Sequence, residues 1–442
     1  MENRLVTAGS PSGAPEAGPP DDPLAKVRKW WLRAVFFSVL GSGMVALANA
    51  YIVYDQTQSV AITGLLAVCG SLPPLLLPAA ATALAQRFGG PRTYIVRFLL
   101  SAVVGFVPVV LLTTGLLTTV TLLIWWAAMS VIGGLFSPSR TLVQRMLAPP
   151  ELLPELNAAV SRNFSLASVI GILGGGLVFA SIGASWVYAI NALSFLPLIL
   201  PVIPLLGIPG PGAAEAQKRR FRDALSLLYG PNARRDLLSA CRFSSLNLAI
   251  GGYTITFPAI ARSVSTHVGI LSVLQATALV GGISTVAVMR WLPQRMGWGR
   301  VQRGCFLAVG TSVLLLAWSA ESGNAPAVTL VVGILAVLPL GFALSLDRVI
   351  LSALVQMRTP PQSRAEFFTY YALIPMVAVP VGQMVIGALA DQTSVSVALA
   401  AVAAVTLVLV ALGPRLRQRA GFDELTLEDS SRQSDPGTSE GG

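Results

Sequence analysis

The stretch Ala83–Arg92 reads ALAQRFGGPR, a short, polar and basic segment between two long apolar runs. A second copy at Trp291–Arg300 reads WLPQRMGWGR, and both copies contain the pattern Gln-Arg-x-Gly-x-x-Arg. Four pairs of positions share an offset of 208 residues: Gln86 and Gln294, Arg87 and Arg295, Gly89 and Gly297, and Arg92 and Arg300. An offset of nearly half the chain predicts two copies of one structural unit.

The repeat continues beyond this motif. Gly133 and Gly341 are also 208 residues apart, as are Arg140 and Arg348. After a slip of three residues the offset becomes 211, and it relates these pairs: Glu155 and Glu366, Gly171 and Gly382, and Gly176 and Gly387.

The composition indicates that the protein is embedded in a lipid bilayer. Only 11% of the 442 residues are charged and 54% are hydrophobic, whereas soluble proteins carry about 25% charged residues. The net charge of +10 lies in short basic clusters between apolar runs. This distribution indicates membrane orientation rather than nucleic-acid binding, so we expect membrane lipids as partners and no nucleic acid.

The residue types also limit the chemistry that the chain can carry out. The chain has one histidine, His267, and three cysteines, Cys69, Cys241 and Cys305, whose spacing fits neither a disulfide framework nor a zinc site. No glycine-rich phosphate-binding loop occurs. We therefore expect no catalytic residues, no metal and no cofactor.

Twelve apolar runs are long enough to cross a membrane, which takes about 20 residues in a helix. The runs are continuous rather than alternating, which favours helices over a barrel. We number them as spans 1 to 12: 33–54, 60–85, 93–113, 117–139, 157–181, 184–206, 239–261, 267–291, 300–320, 325–347, 367–390 and 394–413. The predicted fold is an all-α polytopic membrane protein of two six-helix repeats.

The domain organisation follows from these runs. We expect a disordered tail with a basic end at 1–32, a six-helix bundle at 33–206, a linker at 207–238, a second bundle at 239–413 and a disordered tail at 414–442. In the linker, Phe221, Leu225 and Leu228 share one helix face, which predicts an amphipathic helix on the membrane surface. The alternative is a helix that binds a partner protein.

Most loop arginines and lysines fall in one set of loops. The loops on the other side are short and carry Arg262 as their one basic residue. The positive-inside rule then places both termini in the cytoplasm, and we call that side the inner side.

The repeated motif resembles the major facilitator superfamily, whose loop between spans 2 and 3 reads Gly-x-Leu-Ala-Asp-Arg-x-Gly-Arg-Arg/Lys. The present chain keeps Leu84, Ala85, Arg87 and Gly89, but Gln86 replaces the acid. Span 5 is similar to the glycine-rich span of bacterial exporters of the enterobactin-exporter type, with these glycines: Gly171, Gly174, Gly175 and Gly176. The resemblance implies a monomeric transporter in the inner membrane of a bacterium. It would work by alternating access, coupled to protons in many exporters.

The loop motif is interpreted as a gate at the inner side. Arg87 and Arg92 can bond the carbonyl end of a neighbouring helix, and Gly89 permits a tight turn. The alternative is that these arginines only set the orientation. The span 5 glycines have two readings as well: they bend the helix near a cavity, or they serve close helix packing.

The resemblance places a cavity between spans 1, 4, 7 and 10, and small or polar residues do form stripes on three of them. The candidate cavity residues are Ser42, Asn49, Trp126, Ser130, Arg140, Asn247, Tyr253 and Thr254. Polar faces in lipid are expected to turn inward, although the same residue types also serve helix packing.

Four further charges near the inner ends of spans form a candidate inner mouth: Arg162, Asp347, Arg348 and Glu366. They are expected to pair with each other or to face water. Arg140 and Arg348 could share an anion or snorkel to headgroups. No Asp or Glu lies at mid-depth, so proton coupling rests on the resemblance alone.

Together these features predict a secondary transporter that exports a small amphiphilic molecule such as a drug, siderophore or natural product. One alternative is a permease that takes up a small solute. Another is a receptor, an assembly partner or a membrane enzyme on the same scaffold.

Replacing Gln86 by Asp should leave transport intact. A glutamine can donate and accept hydrogen bonds but cannot form an ion pair, and a charge-assisted bond is roughly twice as strong as a neutral one. The Q86D variant should therefore strengthen the inner gate without removing any contact. Substrate flux in membrane vesicles measures this, and loss of flux in a correctly folded Q86D protein would contradict it.

Overall fold

The computed structural model describes residues 23–208, 253–289, 291–321, 325–358 and 364–420. All regular structure in these ranges is helical. The α-helices are Ala25–Thr57, Val60–Leu76, Pro78–Phe88, Gly90–Gly105, Val107–Thr113, Thr119–Leu135, Ser137–Leu147, Leu153–Ile182, Ala184–Ser194, Tyr253–Val264, Val268–Val288, Leu292–Met296, Trp298–Ser319, Pro326–Arg358, Arg364–Gln392 and Val395–Ala420. Short 3-10 helices cover Pro150–Leu152, Leu196–Leu198 and Leu200–Gly207.

These helices coincide with the predicted spans. Seven helical segments of the described ranges are long and apolar enough to cross a membrane, and an eighth is obtained when one bent pair counts as a single span. The helix of span 10 continues past the predicted end to Arg358. The first half of span 7, the linker from residue 209 onward with its amphipathic helix, and residues 1–22 and 421–442 of the tails lie outside the described residues. Disordered tails are predicted from 1 to 32 and from 414 to 442, but residues 25–32 and 414–420 continue the helices of spans 1 and 12. The other domain boundaries stay predictions.

Prolines divide several spans into two helices. Span 2 breaks at Leu77, just before Pro78, and span 4 bends by 43° between Thr119–Leu135 and Ser137–Leu147. Span 6 ends in 3-10 turns that contain prolines. Proline has no N–H to donate to the preceding turn and its ring clashes with that turn, which explains these breaks.

The helices pack as two groups. Span 1 lies against spans 5 and 6, and span 2 against span 4; in the second group, span 10 packs on spans 8 and 9, and span 9 on span 12. Large apolar side chains such as Leu177 and Val286 are 71% and 75% exposed. A row of such side chains on the outside of a helix bundle is suited to lipid.

The contact between spans 1 and 5 depends on the predicted glycine motif. A Cβ at Gly171 would collide with the carbonyl oxygen of Leu40, and one at Gly175 would lie 2.7 Å from the Cα of Met44. A Cβ at Gly174 would make only an ordinary contact, 3.4 Å from the Met44 side chain. Gly171 and Gly175 therefore allow two helix backbones to touch, which supports the packing interpretation.

A Gly171→Ala substitution should destabilise the protein, while Gly174→Ala should not. The first change forces apart two backbones at a cost of about 1–3 kcal/mol, and the second meets only a flexible methionine. Thermal unfolding of the purified variants in detergent measures both. Equal unfolding temperatures for the two variants would show that span 5 does not depend on this contact.

Candidate functional site

The two groups of helices meet along two helix pairs, span 2 with span 11 and span 5 with span 8. A Cβ at Gly387 would lie 2.7 Å from the Cα of Ala61, and one at Gly176 would collide with the Ser272 side chain. Both contacts lie close to the predicted outer ends of their helices. Small residues thus bring the two groups together at that end.

Asp391, near the end of span 11, caps the beginning of span 2 in the other group. Its carboxylate accepts hydrogen bonds from the backbone N–H of Val60 at 2.7 Å, from that of Ala61 at 3.1 Å and from the Ser59 hydroxyl. The first N–H groups of a helix have no partner within the helix. A carboxylate there satisfies these donors and interacts favourably with the helix dipole.

A second link joins span 1 to span 7 at the same end. Arg262 forms an ion pair with Asp55 at 2.9 Å, and the Tyr51 hydroxyl donates to the carbonyl oxygen of Thr266. The charged side chains are 33% and 42% exposed, so the pair contributes at most about 1 kcal/mol. We call these two links together the outer latch.

Among the described residues, every hydrogen bond between the two groups belongs to the outer latch. Farther from that end, the span 2 and span 11 backbones still approach closely, since a Cβ at Gly64 would lie 3.1 Å from the carbonyl oxygen of Gln383. The groups are therefore joined at their predicted outer ends.

The loop motif at the opposite end is exposed. Gly89 and Gly297 have nearly identical positive φ angles of 78° and 77°, so the repeat recurs in the backbone geometry. In the part of the chain that the structure describes, Arg87 lies over the Phe88 ring and Arg295 over the Trp291 ring, and neither bonds a helix end. Gln86, Arg92 and Arg300 are exposed too, and the Gln294 side chain lies outside the description.

A polar pair lies beneath the outer latch, about 10 Å from the predicted outer ends of spans 7 and 11. The Gln383 side-chain amide of span 11 donates to the Thr254 hydroxyl of span 7 at 3.4 Å. Thr254 is exposed, while Gln383 is buried with no hydrogen-bond partner for its Oε1. Sequence reasoning found Thr254 but missed Gln383, although a lone glutamine in an apolar span was an available signal.

The other candidate cavity residues divide into two sets. Ser42 is exposed, and Trp126, Ser130 and Arg140 are half-buried on span 4. Gly133 on that face has open space where a Cβ would lie. Two predicted residues are buried instead.

Asn49 is fully buried and accepts a hydrogen bond from the Tyr188 hydroxyl at 2.7 Å, inside the first group. Tyr253 is buried against Phe257. Asn247 lies outside the described residues. Ser42 and Asn49 lie two helical turns apart on the same face of one helix, so the sequence could not distinguish them. Only the neighbouring helices at each level determine which of the two is buried.

The predicted inner-mouth charges do not come together within the described ranges. Arg162 and Arg348 are exposed, whereas Asp347 is buried and accepts a hydrogen bond from the Gln302 amide at 3.3 Å. The Glu366 side chain is not described. No cluster of three or more potential metal ligands occurs among the residues that the structure describes.

Replacing Asp391 by Asn should loosen the outer latch. Loss of the charge removes about 1 kcal/mol of helix-end stabilisation, which should raise the open-to-closed ratio of the outer end roughly fivefold. Spin labels at the exposed positions Leu116 and Gln392, in a cysteine-free background, report the distance across that end. Glu321→Gln, which removes an exposed acid at the same end, is the matched control. Identical distance distributions in both variants would contradict the assignment of the latch.

Comparisons with known proteins identify transporters that share this fold. The chain is 24% identical over 399 residues to the multidrug efflux pump Tap of Mycolicibacterium fortuitum, covering 86% of this chain and 93% of Tap. A solved structure of a mutant nucleoside transporter NupG superposes with a TM-score of 0.72 at 14% identity, covering 87% of this chain and 98% of NupG.

A bacterial homologue of the iron transporter ferroportin, in an inward-facing state, superposes with a TM-score of 0.67 at 14% identity, over 87% of this chain and 98% of the homologue. The sequence profile of the Major Facilitator Superfamily matches residues 32–374. The predicted all-α, multi-pass fold is thereby confirmed, and the matches indicate a transporter rather than an enzyme. The chain belongs to the major facilitator superfamily of membrane transporters.

Proposed function

We propose that this transporter exports small amphiphilic molecules from the bacterial cytoplasm by alternating access, as a monomer with both termini in the cytoplasm. The observation that carries the proposal is the asymmetry of the two gates. The outer latch closes one end through Asp391, while the loop motif at the other end is exposed and unbonded in the described residues. Closure at the outer end, with no bonds at the inner loop motif, suits a protein that loads its substrate from the cytoplasm.

The residues of the gates support this resting state. The inner loops carry Gln86 and Gln294 where the family has an acid, so they lack a charged lock. The outer latch contains a carboxylate on a helix end and an ion pair. Since charge-assisted bonds are about twice as strong as neutral ones, the balance favours closure at the outer end.

The similarity to Tap, a multidrug efflux pump, extends over nearly the whole of both chains and favours export over uptake. The structural neighbours include a nucleoside transporter and a ferroportin homologue, and at this identity they support the fold only. Uptake of a small solute remains the alternative that the direction of flux would decide.

The surroundings of Thr254 and Gln383 favour a substrate with a large apolar part. Its described polar groups are neutral, namely the Thr254 hydroxyl and the Gln383 amide, with the Gln383 Oε1 still able to accept a hydrogen bond. Sites of this kind bind ligands through apolar walls and a few placed polar groups. An amphiphile with one hydrogen-bond donor fits this description.

Proton antiport is the coupling mode that we propose, and Asp347 is the residue that supports it. Among the described carboxyl side chains within the spans, Asp347 is buried, 4% exposed, and its hydrogen-bond partner is the neutral amide of Gln302. A buried carboxyl without a bonded cation can exist in neutral and charged forms at modest cost, as a proton carrier requires.

Flux measured in vesicles of known orientation tests the proposal. Inside-out vesicles that contain the transporter should accumulate ethidium when their lumen is acidic, because dye should move inward as protons move out. The Asp347→Asn variant should still bind ethidium but should lose the dependence on the pH gradient. The control is Glu321→Gln, which removes an exposed acid outside the membrane spans.

Accumulation of dye in right-side-out vesicles alone would show uptake and overturn the proposed direction. Unchanged pH-gradient dependence in Asp347→Asn would overturn only the assignment of the proton carrier, since the direction is read from the vesicle orientation.

A further inference from the structure

Two arginines lie on neighbouring helices toward the inner side of the first helix group. Arg97 of span 3 lies with its guanidinium 5.0 Å from the centre of the Phe98 ring. Arg140 lies on Ser137–Leu147, the helix that packs against the helix of Arg97, where a Cβ at Gly90 would lie 2.7 Å from the Cβ of Leu142. Tyr94, one turn before Arg97 on the same helix, is buried. Two like charges within membrane-embedded helices are unfavourable unless a counter-charge is present.

Within the described ranges of the chain, no side chain accepts a hydrogen bond from either guanidinium group. Neither guanidinium forms an ion pair or a hydrogen bond there, and the Nε of Arg140 is buried without a partner. The Tyr94 hydroxyl accepts a hydrogen bond from Trp31 Nε1 at 2.9 Å, which leaves its own O–H to donate. The cluster therefore contains three donor groups and no negatively charged acceptor.

The internal repeat shows that the fold does not require this arrangement. The offset of 208 relates Tyr94 to Gln302, Arg97 to Cys305, Ser139 to Asp347 and Arg140 to Arg348. The second copy therefore contains one arginine and one aspartate, while the first contains two arginines with a serine at the aspartate position. Asp347 directly precedes Arg348 in the sequence, so a carboxylate lies beside that arginine. The first copy lacks the counter-charge that the second copy carries.

We propose that the Arg97–Arg140 cluster binds an oxyanion, a phosphate or carboxylate group, which supplies the missing negative charge. Guanidinium groups match the geometry of such oxygens and can bind them through two parallel hydrogen bonds. Tyr94 adds a third, neutral donor. The proposal does not depend on the direction of transport.

The position of the cluster defines two sources for the oxyanion. Arg97 lies seven residues after the first residue of its helix, Gly90, and Arg140 lies seven residues before the last, Leu147. At 1.5 Å per residue each is about 10 Å from the end of its helix. Both helices extend beyond the predicted inner ends of spans 3 and 4, at residues 93 and 139. An anionic lipid headgroup of the inner leaflet can reach this level, and so can a free oxyanion from the cytoplasm.

Thermal unfolding of the full-length protein in a neutral detergent tests the proposal, with two probes added separately: inorganic phosphate and dioleoylphosphatidylglycerol. Either probe should raise the unfolding temperature of the natural protein. Arg97→Gln and Arg140→Gln should shift the half-saturating probe concentration at least about tenfold upward, because each removes a charge-assisted contact. Arg140→Lys should retain part of the response.

Arg145→Gln is the matched control, because Arg145 lies in the same helix as Arg140 but is exposed. A response to the lipid alone would identify a headgroup as the ligand, and a response to phosphate as well would identify a free oxyanion. Either result supports the site. No response to either probe, or responses in Arg97→Gln and Arg140→Gln equal to that in Arg145→Gln, would overturn it.

A gain-of-charge variant tests the same site without removing an arginine. Ser139→Asp reproduces the aspartate of the second copy, so the protein should no longer respond to the probes. If this variant does not fold, the number of phosphatidylglycerol molecules retained by Arg140→Lys and Arg140→Gln, counted by native mass spectrometry, replaces it. Equal retention by the two would count against the site.

Discussion

The contact of the Asp391 carboxylate with the first N–H groups of span 2 holds the two helix groups together. The first N–H groups of a helix have no partner within the helix and need an acceptor from elsewhere. Here the acceptor belongs to the other half of the protein. The stability of a helix end is thereby tied to the relative position of the two halves, which is the quantity that changes in alternating access.

Close packing of small residues complements this polar link. Gly387 against Ala61 and Gly176 against Ser272 allow the halves to touch at the same end, whereas the repeated loop motif at the other end remains exposed. Among the described residues, the hydrogen bonds between the halves lie at one end of the molecule. A gate closed by a few charge-assisted bonds can open when the binding of a substrate or proton supplies a comparable free energy.

The two halves have the same backbone plan but different charges. Gly89 and Gly297 share one backbone conformation, while the clusters at Arg97 and at Cys305 differ, with two arginines in one and an arginine next to Asp347 in the other. Duplication fixes helices and turns because every copy must meet the same backbone requirements. Buried charges are free to diverge, since their cost depends on local partners, and so the halves can acquire separate tasks.

Sequence alone was sufficient for the all-helical membrane fold, the repeat, the glycine turns at Gly89 and Gly297 and the missing acid at Gln86, because these follow from hydropathy, spacing and backbone geometry. Only the tertiary structure showed that Asn49 bonds Tyr188 inside one group, that Gln383 reaches Thr254, and that Asp391 caps a helix more than 300 residues away in the sequence. Such contacts depend on how helices rotate and cross, and a residue's position along one helix does not specify which neighbour it will meet.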